Sequence, residues 1–460
     1  MRTTALLISL IFFFACRKES FTSSPEALLQ ANTDTLHFDT VFATVGSITQ
    51  SFKIFNDNAE GIHISSIELK GGSNSPFRMN VNGIPGPSVS DLNISGKDSL
   101  YVFVTVNINP TAADLPFVVR DSIEVFYNGN KKLVQLEAFG RNAHFLRSKI
   151  ITEDEVWNSD LPYVILGGLE VAGNTALTIN KGSQVYLHAD APFIVKGTLK
   201  VFGEKWDSTK VLFTGDRLDE PYRSYPASWP GIYFTGSSKD NILEYTVVKN
   251  AYQAVVVQMP SVNTSPKLRL HETIIDNAYD AGLLGVNTSI KARNLLISNS
   301  GKNLVLVSGG DYEFTHCTVA SISNNLVPHN DPVLFISNYL NQDPSNSLSA
   351  LFRNCIFWGD GGLVDNEVTV LRNGGNTFNV EFDHVLWKVK DEPAGVALNE
   401  VINNEDPLFD TLSTTKNFYS FLLKENSPAI NKGINTSVTL DLNGQDRPVG
   451  LPDLGAYEKQ

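Results

Sequence analysis

Short runs of alternating apolar and polar residues fill the chain from Asp34 to about Ala143. Leu36 to Phe42 alternates in this way, and clusters of Gly, Asn and Pro separate the runs. A period of two predicts half-buried strands, and about seven strands at this spacing are typical of an antiparallel β-sandwich. Asn128-Gly129 predicts a tight hairpin turn between two of them. The pattern predicts a sandwich domain over 34–145.

A different pattern, apolar-x-apolar-x-x-apolar-x-apolar, recurs in the second half of the chain. Its anchor residues are spaced 26, 22, 22, 38 and 30 apart, at Glu244, Leu270, Ala292, Phe314, Phe352 and Phe382. A base period of 22 residues with insertions predicts a solenoid. The alternation is interrupted at the two central polar positions of each copy, and the β-branched and aromatic content favours one strand on each side of this break. Asn294 and Asn354 occupy the break, where asparagine tolerates a left-handed backbone.

These copies resemble the coils of a right-handed parallel β-helix of the pectin-lyase-like type, with eight to ten coils expected over 146–400. In this register Cys317 and Cys355 take equivalent inward positions, which predicts stacked core residues; a disulfide between them is the alternative in an oxidising compartment. His384 shares the break position with His316 and the two asparagines, which favours a ladder of turn residues over a catalytic histidine.

The N-terminal sequence predicts where in the cell the protein is located. The apolar run from Ala5 to Ala15 is too short to span a bilayer as a helix. Ala15-Cys16 resembles a bacterial lipobox, which implies a signal peptide over 1–15 and acylation of Cys16, a stable membrane anchor; an ordinary cleaved signal peptide is the alternative. Residues 16–33 are polar and predict a tether.

The stretch from Asp39 to Asn58 resembles the immunoglobulin-like modules of Bacteroidetes lipoproteins. That resemblance implies a spacer or docking module and an outer-membrane lipoprotein, facing either the periplasm or the cell surface.

The C-terminal residues 401–460 resemble the terminal segment of secreted bacterial β-helix proteins, through D-x-x-G-x-x-R and D-x-G-A-Y-E. We expect a cap for the solenoid, with Arg447 among carboxylates. The alternative is a Ca²⁺ site formed by Asp441, Asn443 and Asp446, whose oxygen ligands surround a glycine turn.

Composition excludes several classes of function. The 460 residues carry a net charge of −13, which argues against a nucleic-acid-binding face. Three cysteines exclude a disulfide-rich scaffold and a cysteine-ligated zinc ribbon.

The family resemblance implies a pectate lyase, a glycoside hydrolase or a non-catalytic surface protein. The sequence contains no Asp-Asp pair and no Gly-His-Gly, which the hydrolases use. Residues 216–231 predict a long loop with three large aromatics, two arginines and three acids, which suits stacking on sugars and hydrogen bonding to them. The ligand-binding candidates are Arg217, Tyr222, Arg223, Tyr225 and Trp229. For Tyr225 and Trp229 the alternative is that they cover the side of the solenoid.

A lyase site is a further hypothesis, with Asp276, Asp280 and Arg293 as its catalytic residues. The interpretation we favour is a lipid-anchored envelope protein with a non-catalytic β-helix that binds a polysaccharide or an envelope protein. A polysaccharide lyase or glycoside hydrolase is the alternative, and an adhesin or structural stalk is the third hypothesis.

Overall fold

The computed structural model describes residues 19–42, 49–107, 117–342 and 344–460. The predicted signal peptide and Cys16 lie outside these residues. The chain divides into two compact units between Asn142 and Ala143. Among the described residues no helix has the length and apolar character needed to cross a bilayer.

The first unit is a β-sandwich whose two sheets enclose one apolar core. Its strands are β1 Phe21–Thr22, β2 Gln30–Ala31, β3 Thr35–Phe42, β4 Gln50–Phe55, β5 Gly61–Leu69, β6 Phe77–Val81, β7 Ile84–Pro85, β8 Ser88–Ile94, β9 Ser99–Val106, β10 Phe117–Tyr127 and β11 Asn130–Arg141. One sheet has the order β1-β5-β10-β11-β3 with β8 beside β5, and the other has the order β2-β4-β9-β6-β7. The predicted hairpin turn at Asn128-Gly129 joins β10 to β11.

The described part of the predicted tether is folded onto this sandwich. Phe21–Thr22 pairs in parallel with β5, and Gln30–Ala31 pairs antiparallel with β4. Ala27 and Leu29 are buried in the sandwich core. The polar composition of residues 16–33 conceals these contacts, because two-residue strands are too short to show a period.

The second unit is a parallel β-helix, as predicted. Its strands are β12 His144–Ile151, β13 Glu155–Trp157, β14 Tyr163–Val171, β15 Ala176–Asn180, β16 Gln184–Leu187, β17 Phe193–Val195, β18 Thr198–Phe202, β19 Val211–Gly215, β20 Ile232–Phe234, β21 Asn241–Glu244, β22 Thr246–Lys249, β23 Gln253–Gln258, β24 Leu268–His271, β25 Ile274–Asp276, β26 Ala281–Arg293, β27 Leu296–Ser298, β28 Lys302–Thr315, β29 Thr318–Ile322, β30 Leu334–Ser337, β31 Leu348–Asp360, β32 Val368–Leu371, β33 Phe378–Trp387 and β34 Ala397–Asn403.

Strand pairing sorts these strands into three faces that the chain visits in turn. Face 1 contains β13, β15, β18, β21 and β24 and continues through the second half of β26. Face 2 contains β16, β19, β22, β25, β27 and β29. Face 3 contains β17, β20, β23, the first halves of β26 and β28, and then β30 and β32.

The predicted register is confirmed from Leu270 onward. Leu270, Ala292, Phe314, Phe352 and Phe382 are successive partners on face 1. The anchor at Glu244 is wrong by one residue, because Leu243 is the residue that pairs with Leu270. The fully buried Asn241 fills the first inward position of this copy, where the others have an apolar residue, and this shifted the apparent pattern.

A left-handed residue bends the chain between face 1 and face 2 in each of these coils. The bend residues have φ between 43° and 55°; they are Tyr245, Glu272, Asn294, His316, Asn354 and His384. His384 therefore occupies the predicted turn ladder. One position after this bend, Cys317 and Cys355 lie in the apolar interior as free, fully buried thiols.

The C-terminal segment covers the side of the β-helix over several coils. It forms a hairpin of β35 Phe409–Ser413 and β36 Phe418–Leu423, and its apolar residues pack on outward residues of face 2 such as Leu296, Ile356 and Leu386. Residues 434–440 then run back along the bend: Asn354 Nδ2 donates to Ile434 O at 2.8 Å, and Asn294 Nδ2 donates to Leu440 O at 2.7 Å.

Arg447 links the C-terminal segment to the β-helix, and it lies among charged groups as the sequence predicts. Its guanidinium is buried, donates to the carbonyls of Asp453 and Gly455, contacts His316 Nδ1, and lies 3.5 Å from Glu458 Oε2. Burial, and the positive charge of Arg447 after it, lower the pKa of His316 to about 2, so the imidazole is neutral.

Candidate functional site

Three short turns between face 2 and face 3 form a shelf bounded by two long loops. The turns are residues 250–252, 277–280 and 299–301; the loops are 216–231 and 323–333. The coils that carry the two loops are four steps apart, which corresponds to about 19 Å at the usual strand spacing. Asn250, Asn277 and Asn299 begin the turns in left-handed conformation.

Two tyrosines stand on this shelf with their rings nearly parallel. The centroids of Tyr252 and Tyr279 are 5.8 Å apart with an interplanar angle of 23°. The two residues are 46 % and 55 % exposed. Gly301 allows the next coil to approach, since a Cβ there would lie 2.3 Å from Tyr279 O. The shelf therefore presents two flat apolar surfaces to solvent.

The residues that follow these tyrosines in the chain carry polar side chains with fixed partners. The Asp280 carboxylate accepts from Gln253 Nε2 at 2.7 Å and pairs with Lys302 Nζ at 3.2 Å. Asp280 N donates to Tyr252 O, which joins this group to the tyrosine turn. Such an arrangement offers both donors and acceptors to hydroxyl groups.

The loop 216–231 folds over the first two turns of the shelf. Asn250 Nδ2 donates to Arg223 O at 2.8 Å, and Asn277 Nδ2 donates to Ser224 O at 2.9 Å. These bonds place the exposed Tyr222 and Tyr225 beside the shelf, with their rings 5.3 Å apart. We name Tyr222, Tyr225, Tyr252 and Tyr279 the aromatic corner.

The charged groups of the loop all have partners, within the loop or next to it. Arg217 contacts Asp219 through two hydrogen bonds of 2.7 and 2.9 Å and lies 4.0 Å from the centre of the Tyr222 ring. Arg223 pairs with Glu220. His188 Nδ1 lies 2.7 Å from Asp216 Oδ2, and burial raises the pKa of Asp216.

Trp229 does not lie in the aromatic corner, and its prediction as a ligand-binding residue is wrong. The side chain is 1 % exposed, belongs to the interior core, and donates from Nε1 to Lys249 O at 2.9 Å. Trp229 therefore has a packing role inside the solenoid, whereas the alternative that the sequence left open placed it over the solenoid's side.

The three predicted lyase residues have separate partners. Asp276 accepts from Ser298 Oγ at 2.7 Å on face 2, and burial raises its pKa. Asp280 belongs to the shelf, and Arg293 pairs with Glu272 at the bend, with 3.1 Å between Nε and Oε1. No hydrogen bond or ion pair among the described residues connects any two of the three.

A second group of titratable residues was missed by the sequence analysis. One ligand atom from each of Glu244, His271 and Glu272 lies within 4.8 Å of the others, which is close enough to hold a metal ion. Burial is the main cause that lowers the pKa of His271 to about 4, with a further contribution from Arg293. β21 and β24 pair Leu243 with Leu270 and therefore Glu244 with His271. With Leu243 as the anchor of its copy, the repeat alignment would have predicted that Glu244 and His271 are neighbours.

The predicted calcium residues lie in a turn of the C-terminal segment. Asp441 Oδ1 accepts from the backbone N–H groups of Asn443 and Gln445 at 2.8 Å each, and Oδ2 accepts from Glu458 N at 3.1 Å. Asp446 is exposed. Asp441 thus closes the turn, and calcium binding by these residues stays a prediction.

Comparisons with known proteins give only distant likenesses. No family model matches the chain, and no curated protein matches it. The catalytic unit of a GH87 α-1,3-glucanase from Streptomyces thermodiastaticus is 10 % identical, with 80 % of this chain and 91 % of that chain covered and a TM-score of 0.24. A family 123 glycoside hydrolase from Clostridium perfringens is 12 % identical, with 27 % and 30 % covered and a TM-score of 0.19.

A human PapD-like domain of CEP192 is 9 % identical over 26 % of this chain and 87 % of that domain, with a TM-score of 0.18. The chain spans less than a third of the length of the Clostridium perfringens enzyme. Likenesses of this strength do not bear on function.

Proposed function

We propose that this protein binds an uncharged glycan at the aromatic corner of its β-helix. The observation that carries the proposal is the exposed, nearly parallel pair of Tyr252 and Tyr279. Sugar rings have apolar faces that stack on aromatic rings, and hydroxyl groups find partners in Asp280, Gln253 and Lys302. The charges around the corner are paired internally, which favours an uncharged ligand over an anionic one.

The test is calorimetric titration of the full-length chain in detergent with maltohexaose, mannohexaose and hexagalacturonate. We expect a neutral hexasaccharide to bind, and we expect Tyr252→Ala and Tyr279→Ala each to weaken it about tenfold, equivalent to ~1.4 kcal/mol. Trp206→Ala is the matched control, since Trp206 is 63 % exposed in the turn between β18 and β19. Failure of both neutral hexasaccharides to bind, or an equal loss in the control, would remove the support for the proposal.

We further propose that Cys16 carries the acyl anchor of an outer-membrane lipoprotein. The support is the apolar run that ends in Ala15-Cys16. Mass spectrometry of the N-terminal peptide tests this, with Cys16→Ser as the control. An unmodified peptide that begins at another residue would contradict it.

Glycan cleavage is the second candidate function, favoured by the convergence of Glu244, His271 and Glu272. Two carboxylates and a neutral imidazole supply an acid, a base or metal ligands. Release of reducing ends or unsaturated uronates that is abolished by Glu272→Gln and preserved in Tyr279→Ala would establish glycan cleavage. If none of the three hexasaccharides gives a product, cleavage is contradicted and glycan binding remains as the proposed function.

A further inference from the structure

The outer face of one sandwich sheet carries an aromatic pair that no part of the described chain explains. Tyr101 and Phe103 alternate outward on β9, with ring centroids 5.7 Å apart and an interplanar angle of only 12°. Each residue is 40 % exposed, whereas Val102 and Val104 between and beyond them are buried in the core. The two rings form a flat apolar surface.

The side chains around this pair are cationic or neutral. On the neighbouring strands the outward residues are Ser51, Lys53, Phe55, Arg78 and Asn80, which include two cations and no carboxylate. Lys53 Nζ lies 4.5 Å above the Tyr101 ring. Arg78 Nη1 is held by the carbonyls of Ser75 and Phe77.

Neither cation is neutralised within the described part of the chain. Every ion pair of Lys or Arg in the described residues involves other side chains, although the protein as a whole carries a net charge of −13. Arg78 is exposed and Lys53 is partly exposed. Cations without an acidic partner on an aromatic face are complementary to a ligand that combines a flat apolar side with negative charge.

We infer that Tyr101, Phe103, Lys53 and Arg78, the sandwich platform, bind an acidic polysaccharide. The apolar face of a uronate ring stacks on the parallel rings, and its carboxylate pairs with Lys53 or Arg78. A flat surface without surrounding walls can bind the side of a long polysaccharide chain at any point along its length. This ligand class differs from that of the aromatic corner, where the charges are already paired.

The test is titration of the full-length chain with hexagalacturonate, and with maltohexaose as the uncharged probe. We expect hexagalacturonate to bind, with Tyr101→Ala and Phe103→Ala each weakening it at least tenfold. Lys53→Gln should weaken it several-fold and reduce its salt dependence. Phe139→Ala and Lys70→Gln, both at exposed positions outside the platform, are the matched controls and should leave affinity unchanged. Circular dichroism of each variant verifies the fold.

The double variant Tyr252→Ala/Tyr279→Ala separates this site from the aromatic corner. We expect it to retain hexagalacturonate binding. Loss in this variant with no effect of Tyr101→Ala would overturn the sandwich platform and leave the corner as the only glycan site. Equal binding of poly-glutamate, unaffected by Tyr101→Ala, would mean simple charge attraction and would also overturn it. The proposal would also be overturned if the protein formed a Tyr101-dependent dimer in the absence of glycan, or if hexagalacturonate did not bind.

Discussion

Replacement of Trp229 separates a packing role from ligand contact. Truncating a fully buried tryptophan costs about 3–5 kcal/mol, so Trp229→Ala should be strongly destabilised. Trp229→Phe keeps a ring in the core and loses the hydrogen bond from Nε1 to Lys249 O, a cost of about 1–2 kcal/mol. The same loop is also held by Ser228 N, which donates to Asn250 O, and by Tyr252 N, which donates to Trp229 O.

Urea denaturation followed by circular dichroism measures the free energy of unfolding of both variants, and calorimetry measures their affinity for the neutral hexasaccharide. We expect Trp229→Phe to be less stable than the parent while its affinity stays within about twofold, which is less than ~0.5 kcal/mol. A variant of unchanged stability whose affinity falls more than tenfold would refute this reasoning, because Trp229 would then contact the ligand.

Three further predictions concern the buried thiols, His271 and the C-terminal segment. Cys317 and Cys355 should not react with a thiol reagent in the native protein and should both react in denaturant, because both are fully buried. His271 has its pKa lowered to about 4 in the folded state, so the unfolded chain binds more protons below pH ~6.5. Stability should therefore fall as pH drops from about 6.5 to 4, and His271→Gln should reduce that slope; an unchanged slope would contradict the assignment. Arg447→Met should cost about 3–5 kcal/mol in urea denaturation, since it leaves Glu458 and two carbonyls buried without their partner.

The coil register could be predicted because inward positions repeat strictly. Leu270, Ala292, Phe314, Phe352 and Phe382 stack in one core, and the three last rings lie 5.3 and 5.1 Å from their neighbours. Apolar side chains at a fixed spacing leave a signal that a single sequence contains. Where a buried polar residue replaces one of them, as at Asn241, the signal shifts by a residue.

The candidate sites were harder to predict, because they depend on which turns are neighbours in space. Tyr252 and Tyr279 are 27 positions apart and meet only because their turns are short and their coils adjacent. The composition of residues 216–231 correctly indicated aromatic and charged side chains at the surface, but it could not distinguish the buried Trp229 from the exposed Tyr222. Exposure is a property of packing, which composition does not contain.

Photo-cross-linking tests whether a neutral glycan lies on the shelf between face 2 and face 3. A diazirine derivative of the neutral hexasaccharide that binds is irradiated with the full-length chain, and the labelled peptides are identified by mass spectrometry. We expect label within residues 216–231, 250–252 and 277–280. Label confined to the outer surface of face 1, around Glu244 and His271, would contradict it.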